Sequence, residues 1–217
     1  MVFLYSHHTL HVFCDASRKA FGVVAYAVGS SGHAHLLTAR ARVTPKNMAA
    51  QGEELTVPRL ELTALLFGCR LAVHLKESRP KDYAVSYVWT DARSSIDWVR
   101  SQKSPYTYVL NRATEIEQLV RDHSLQLMHV ECAFNPADLA TQPCTVKALL
   151  NPRRLWFSGP PWLRDPKSYP SQSTFSLPLF ISTCVTSLRV VPYPKFDFSL
   201  FKSFSSALRF VRRLLDA

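Results

Sequence analysis

A chain of 217 residues with 47% hydrophobic and 19% charged residues can bury one sizeable core, which excludes a disordered polycation although the formal net charge is +10. The charge points to an anionic partner, and it is unevenly spread: residues 1–165 hold 19 Lys and Arg against 14 Asp and Glu, residues 166–217 hold 7 against 2. The five cysteines form no CxxC pair and have no histidine at zinc-ligand spacing, and no apolar run is long enough to span a bilayer, so a reduced, intracellular protein with no membrane partner is expected.

The first predicted strand is Leu10 to Ser17, LHVFCDAS. Its alternate positions are apolar on both sides, which suits a central strand covered on both faces. Asp15 closes it. Such an aspartate caps a turn, pairs with a base or holds a metal, and turn capping is the commonest habit of Asp in isolation. Ala20 to Val28 reads as a second strand ending at the turn cluster Gly29-Ser30-Ser31-Gly32. A third, His33 to Val43, places Leu37, Ala39, Ala41 and Val43 on a buried face and Thr38, Arg40 and Arg42 on a solvated basic face.

Thr44 to Glu54 reads as loop. Thr56-Val57-Pro58 then supplies an N-cap and a first-turn proline for a long helix running to about Glu77. Glu61 shares a helical stripe with Leu65, Gly68 and Ala72, a packing position where a carboxylate needs a partner, although a helix this apolar all round assigns no face firmly. Ala84 to Trp89 is the next strand and delivers Thr90-Asp91 at its end. A long helix between two strands implies parallel pairing, which places Asp15 and Asp91 at one edge of the sheet if the strands are neighbours.

Ala92 to Ser101 reads as a short helix, and Ser104-Pro105 opens another with Val109, Ala113, Ile116 and Val120 as its apolar stripe. Leu125 to Val130 is the last strand. In Asn135-Pro136-Ala137-Asp138 the asparagine is an N-cap, the proline a first helical residue and Asp138 a first-turn acid. The helix dipole alone would favour that acid by about 0.3 to 1 kcal/mol, so a purely structural role is open. WFSGPPWL, Trp156 to Leu163, reads as a rigid extended flap. Ser168 to Ser176 is linker-like, and Phe201, Phe204, Leu208, Val211 and Leu215 form an apolar stripe backed by Arg209, Arg212 and Arg213.

Three strands, helix, strand, helices, strand, helix is an order that resembles the ribonuclease H fold. The words FCDAS, VPRLEL, VWTDA, VLNRATEI, NPADLA and WFSGPPWL, in that order, are similar to the ribonuclease H region of BEL/Pao-type retrotransposon polyproteins. The resemblance covers roughly Leu10 to Leu163. It implies an α/β protein of ribonuclease H-like fold, a five-stranded mixed sheet flanked by helices, with a C-terminal appendage. The domain would occupy residues 1–165, leaving residues 166–217 as a linker and basic amphipathic tail; FSSALRFVRRLL resembles the connector that leads toward integrase.

The resemblance further implies a catalytic and metal-binding set carried over as Asp15, Glu61, Asp91 and Asp138, holding two divalent ions, Mg²⁺ or Mn²⁺. The two strand aspartates would be the central ligands, with Glu61 and Asp138 completing one site each. The implied activity is a Mg-dependent endoribonuclease that hydrolyses the RNA strand of an RNA/DNA hybrid. Nucleic-acid contacts are expected from Ser17, Arg18, Arg59, Asn111 and Arg112, polar or basic residues in or beside these words. Reverse transcriptase and integrase domains of a parent polyprotein are the implied partners. One departure is plain: the loop Glu131 to Phe134 lacks the histidine that many ribonucleases H carry before the last acid, and His129 lies in the preceding strand. The alternative function is a catalytically inactive remnant that binds nucleic acid; a transposase or integrase on the same fold is disfavoured by VPRLEL, whose helix glutamate such enzymes do not require.

Overall fold

The sheet is organised around β1 (His8–Ala16), where every residue from Leu10 onward is buried. The computed structural model describes residues 8–44, 56–79, 83–142, 144–145, 149–151 and 155–170. The chain divides into two units, Met1–Ser173 and Thr174–Ala217, and the second lies wholly outside the described residues. β2 (Ala20–Val28) pairs antiparallel with β1, and β3 (Ala34–Val43) antiparallel with β2. On the other side β4 (Tyr83–Thr90) runs parallel to β1 and β5 (Leu125–His129) parallel to β4. The order β3-β2-β1-β4-β5 makes β1 the middle strand, which is why both of its alternating side-chain sets are apolar.

One face is covered by α1 (Val57–Ser78), and α3 (Thr107–His123) lies on α1 through Val109, Ala113, Ile116 and Val120. α2 (Arg93–Ser101) buries Ser95, Ile96 and Val99. Contact between α1 and the sheet is close at Gly68, where a β-carbon would overlap the Cys14 sulfur and lie in ordinary contact with Val88 and Val12. Glycine is the residue that lets the helix approach there. A bridge of 2.6 Å from Arg70 to Glu115 ties α1 to α3, but both side chains are about a third exposed, so it contributes at most about 1 kcal/mol.

The opposite face carries an aromatic core. Phe13 stacks on Trp89 at 5.8 Å between ring centroids and meets Tyr26 edge-on at 5.8 Å. Trp162 lies 4.9 Å from Trp89, and Tyr169 meets His11, Tyr87, Trp89 and Trp162 edge-on at 5.4 to 5.8 Å. Ring pairs of this geometry are worth about 0.5 to 1.5 kcal/mol each beyond the area they bury. His11 is fully buried among them, accepts from the Trp89 indole at 3.2 Å, and is pushed down to about 3 by burial, so it stays neutral. It is a core residue.

Several local expectations are corrected. In β3 the register passes from Ala25 opposite Thr38 to Tyr26 opposite Leu36, so Leu37 is an extra residue, and a bulge of this kind breaks the alternation. Leu36 and Ala39 pack against the aromatic core, whereas Leu37 and Val43 are 41% and 44% exposed. Arg42 reaches over the Phe67 ring of α1 at 5.6 Å rather than facing open solvent. The helix expected to open at Ser104-Pro105 starts at Thr107. α4 (Asp138–Thr141) is a single turn, and Asn135-Pro136 stand before it.

The WFSGPPWL stretch is not extended but folds into turns and a 3-10 turn at Pro161–Arg164, closing the aromatic core. Its glycine, Gly159, has a positive φ of 64° and lies where a β-carbon would meet Leu163. The Tyr26 hydroxyl donates to the Leu155 and Trp156 carbonyls at 3.1 and 2.7 Å, pinning this stretch to β2. The predicted loop beyond Thr44, the linker beyond Pro170 and the stripe from Phe201 to Leu215 lie outside the described residues. Among the described residues no helix is long and apolar enough to cross a membrane.

Candidate active site

Because β1 and β4 are parallel neighbours with Cys14 opposite Thr90, the residues that follow, Asp15 and Asp91, emerge side by side at one end of the sheet. Glu61, in the second turn of α1, completes a first group: one carboxylate oxygen each from Asp15, Glu61 and Asp91 lies within 4.8 Å of the others. A second group, with the same spacing, consists of Asp91, Cys132 and Asp138. Asp91 belongs to both. The structure thus brings all four predicted acids together.

Like charges in a partly buried site resist ionisation. The Glu61 carboxyl is pushed up to about 9, first by burial and then by Asp15 and Asp91, against the opposing effect of the Ala16 backbone. Asp15 is raised by burial, and then by Asp138 and Asp91, while a hydrogen bond from Thr141 works the other way. Asp138 is raised mainly by burial. Glu61 Oε2 and Asp91 Oδ1 are buried oxygens that accept no hydrogen bond. Orphaned carboxylate oxygens beside other carboxylates have an unmet need for positive charge, and a hard divalent cation bound by oxygen meets it. The donor set therefore fits a divalent ion.

Around the acids lies a bracing scaffold, in which Ser17 and Asn135, expected as a nucleic-acid contact and a helix N-cap, take other roles. The Thr141 hydroxyl donates to Asp15 Oδ2, and Ser17 donates to the Thr141 carbonyl at 3.2 Å. Asn135, only 3% exposed, donates to the Cys14 carbonyl at 2.9 Å and accepts from the Ala137 amide at 3.1 Å. It thereby fastens the turn that carries Asp138 to the end of β1. Cys132, in the 3-10 turn Cys132–Phe134, donates to Asp138 Oδ2 at 3.5 Å. Its thiol is pushed up to about 12 by burial and by Asp138 and Asp91. The available signals were Thr141, three residues after Asp138, and a cysteine in the loop before the last acid; a search for CxxC spacing passes over both. His129 ends β5 with Nε2 3.2 Å from the Asp91 carbonyl oxygen and 3.4 Å from Arg93 Nε, and it is pushed down by burial and by Arg93.

The five expected nucleic-acid contacts are dispersed. Ser17 organises the β1–β2 turn, accepting from the Lys19 and Ala20 amides, and Arg18 beside it is exposed. Arg59 is 8% exposed, with its guanidinium 4.6 Å from the Tyr106 ring centroid and 5.8 Å from that of Tyr108. Arg112 lies over Tyr108 at 3.4 Å, and Asn111 is exposed on α3. Arg59 and Arg112 thus share one tyrosine between α1 and the start of α3, while Ser17 and Arg18 stand by Asp15.

Residues 3–92 match the family model described as Pao retrotransposon-like RNaseH-like domain. No curated protein matches the chain. Among solved structures, the N-terminal RNase H domain of a Mycobacterium tuberculosis protein, solved as a fusion with maltose-binding protein, is 16% identical, with 62% of this chain and 91% of that one covered and a TM-score of 0.43. RNase H1 from the halophilic archaeon Halobacterium salinarum is 12% identical over 62% of this chain and 93% of that one, with a TM-score of 0.42. LC11-RNase H1, isolated from compost and solved in complex with an RNA/DNA hybrid, is 15% identical over 65% of this chain and 99% of that one, with a TM-score of 0.44. The sheet is five-stranded and mixed with helices flanking it, and the part of the chain that builds β1 to β4, residues 3–92 with Asp15, Glu61 and Asp91, matches the family model of the Pao retrotransposon-like RNaseH-like domain.

Proposed function

We propose that this chain is a retrotransposon-derived ribonuclease H that hydrolyses the RNA strand of an RNA/DNA hybrid with two divalent ions, Mg²⁺ or Mn²⁺. The observation that carries the reading is the convergence of four acids from four separate elements on one sheet edge, with Asp91 shared between two donor groups. Like charges do not gather in a partly buried place for stability: burial and the neighbouring carboxylates raise Asp15 and Glu61, and burial and Asp91 raise Asp138.

The residues divide the work by their mounting. Asp15 and Asp91 sit at the ends of paired strands, so their separation is fixed by the sheet, and Thr141 holds the Asp15 carboxylate in one orientation. Glu61 and Asp138 approach from α1 and α4 and complete one position each. Divalent ions held by Asp15, Glu61 and Asp91 and by Asp91 and Asp138 would supply activation of the attacking water and charge neutralisation at the leaving 3′ oxygen. Selection for RNA rests on 2′-hydroxyls in the wide minor groove, read by polar and backbone groups such as those around Ser17 and Arg18; Asn111, exposed on α3, and the Arg59 and Arg112 guanidiniums stacked on Tyr108 are the further contacts this reading assigns to the hybrid. The parent polyprotein would supply reverse transcriptase and integrase domains.

The test is gel analysis of end-labelled RNA/DNA hybrid, duplex RNA and duplex DNA incubated with the purified chain and Mg²⁺. Cleavage confined to the RNA of the hybrid, leaving 5′-phosphates, is the expected result. A protein that shifts hybrid on a native gel but cuts nothing would instead be the nucleic-acid-binding remnant.

A further inference from the structure

The two donor groups at the sheet edge differ in chemistry. Asp15, Glu61 and Asp91 offer oxygen only, whereas the second group sets a sulfur, Cys132 Sγ, beside the carboxylates of Asp91 and Asp138, with all three ligand atoms within 4.8 Å of one another. That spacing is one a single cation spans. A cysteine near acids would carry nothing by itself, but the wall it shares is independently short of a positive charge. Oδ1 of Asp91, the residue common to both groups, is buried and accepts no hydrogen bond, and Glu61, a member of the first group, is nine-tenths buried with Oε2 equally unmatched. The Cys132 side chain is turned into the cluster, as its 3.5 Å contact with Asp138 Oδ2 shows, and the 3-10 turn that carries it stands directly before the Asn135 anchor to β1.

We propose that Cys132 is a sulfur ligand of the cation position shared by Asp91 and Asp138, so that the two positions select different metals. The inference rests on the metal-binding reading of the acids given above. Magnesium prefers oxygen and suits the Asp15, Glu61 and Asp91 group, while a thiolate favours borderline and soft ions such as Zn²⁺, Co²⁺ and Cd²⁺. Binding forms a sulfur–metal bond as the thiol loses its proton to solvent; no electron is transferred. A thiophilic ion would therefore displace Mg²⁺ from the second position more readily than from the first, giving that position a preference for zinc and cadmium beyond that of an all-oxygen site.

The experiment titrates the full chain with Cd²⁺ alone and follows sulfur-to-cadmium charge-transfer absorption in the ultraviolet, with the thermal midpoint in Mg²⁺ measured in parallel. The wild-type chain should develop the band, Cys132→Ser should lose it with a fall in Cd²⁺ affinity of about tenfold or more, and Cys144→Ser should keep it. The Mg²⁺-induced rise in midpoint should survive Cys132→Ser, which also shows that this variant folds. A band that persists in Cys132→Ser, or no band in a wild-type chain whose midpoint still rises with Mg²⁺, overturns the sulfur ligand and leaves the metal reading intact. A chain that responds to neither ion overturns both.

Discussion

At the scale of single residues, the carboxylates around Asp91 make opposite demands on the metal-free and metal-bound protein. Without a cation they repel, so Asp91→Asn should raise the metal-free thermal midpoint. A relief of about 1 kcal/mol corresponds to roughly 2–4 °C for a chain of this size. With Mg²⁺ the wild-type midpoint should rise and that of Asp91→Asn should not. If the substitution lowers the metal-free midpoint, Asp91 is held by a base instead. Asp15→Asn and Asp91→Asn should abolish hybrid cleavage at any Mg²⁺ concentration, whereas Asp138→Asn should leave a weakened activity that extra Mn²⁺ partly restores, because Asp138 belongs to only one of the two donor groups and asparagine keeps an oxygen there.

Glu61 sets a pH dependence with a definite sign. The unfolded chain releases this proton near the ordinary value of 4.5, but the folded protein holds it up to about 9. Between those values the folded state binds the extra proton, so its stability falls as pH rises through the window, and Asp15 acts in the same direction. Metal-free melting curves between pH 5 and 9 should show a steady decline that Glu61→Gln flattens and Mg²⁺ reduces. A midpoint that climbs with pH over this range would contradict the burial and repulsion assigned to the carboxyl.

At the scale of elements, the distance between α1 and the sheet decides whether Glu61 can reach Asp15 and Asp91. That distance is set at Gly68, where an added methyl would have to displace the buried Cys14 sulfur. Gly68→Ala should lower stability by about 1–3 kcal/mol through overpacking, despite the better helix propensity of alanine, and it should weaken the Mg²⁺ response by moving Glu61 outward. Denaturant melts with and without Mg²⁺ measure both effects. An alanine variant as stable as the parent would mean that the helix sits further from β1. The single turn α4 is held in a different way, by Asn135 to β1 and Thr141 to Asp15, so the fourth acid depends on hydrogen bonds rather than on a buried helix face.

At the scale of the whole molecule, the aromatic face joins chain segments far apart in sequence. Tyr169 lies edge-on to four rings, and its hydroxyl is 3.2 Å from His11 Nε2. A domain ending at residue 165 and a domain that includes Tyr169 are therefore different proposals. Chains ended after Asp165 and after Pro170 separate them. We expect the longer one to match the full chain in thermal midpoint and metal response. The shorter one should lose several degrees, since ring pairs worth about 0.5 to 1.5 kcal/mol each are removed. Equal midpoints for the two would place the boundary at 165, and a molten longer chain would show that residues beyond Pro170 belong to the core.

Sequence alone determined the strand and helix order, because hydrophobic periodicity and turn residues are local properties: LHVFCDAS reads as a two-sided buried strand from its own alternation, and VPRLEL opens a helix with its first-turn proline, although Thr56 before it makes no side-chain capping bond. It also named the four acids that the structure brings together, through words that resemble a family. The bulge at Leu37 was not legible, since it arises from the register with β2, and neither was the folding of WFSGPPWL, whose shape comes from the rings and the Tyr26 hydroxyl it packs against. Only the tertiary structure decided that Asp91 is common to two groups, that Cys132 stands beside Asp138, and that Asn135 and Thr141 brace the edge. Those are distances between elements, fixed by the pairing of β1 with β4 and by the docking of α1 and α4, and no spacing along the chain encodes them.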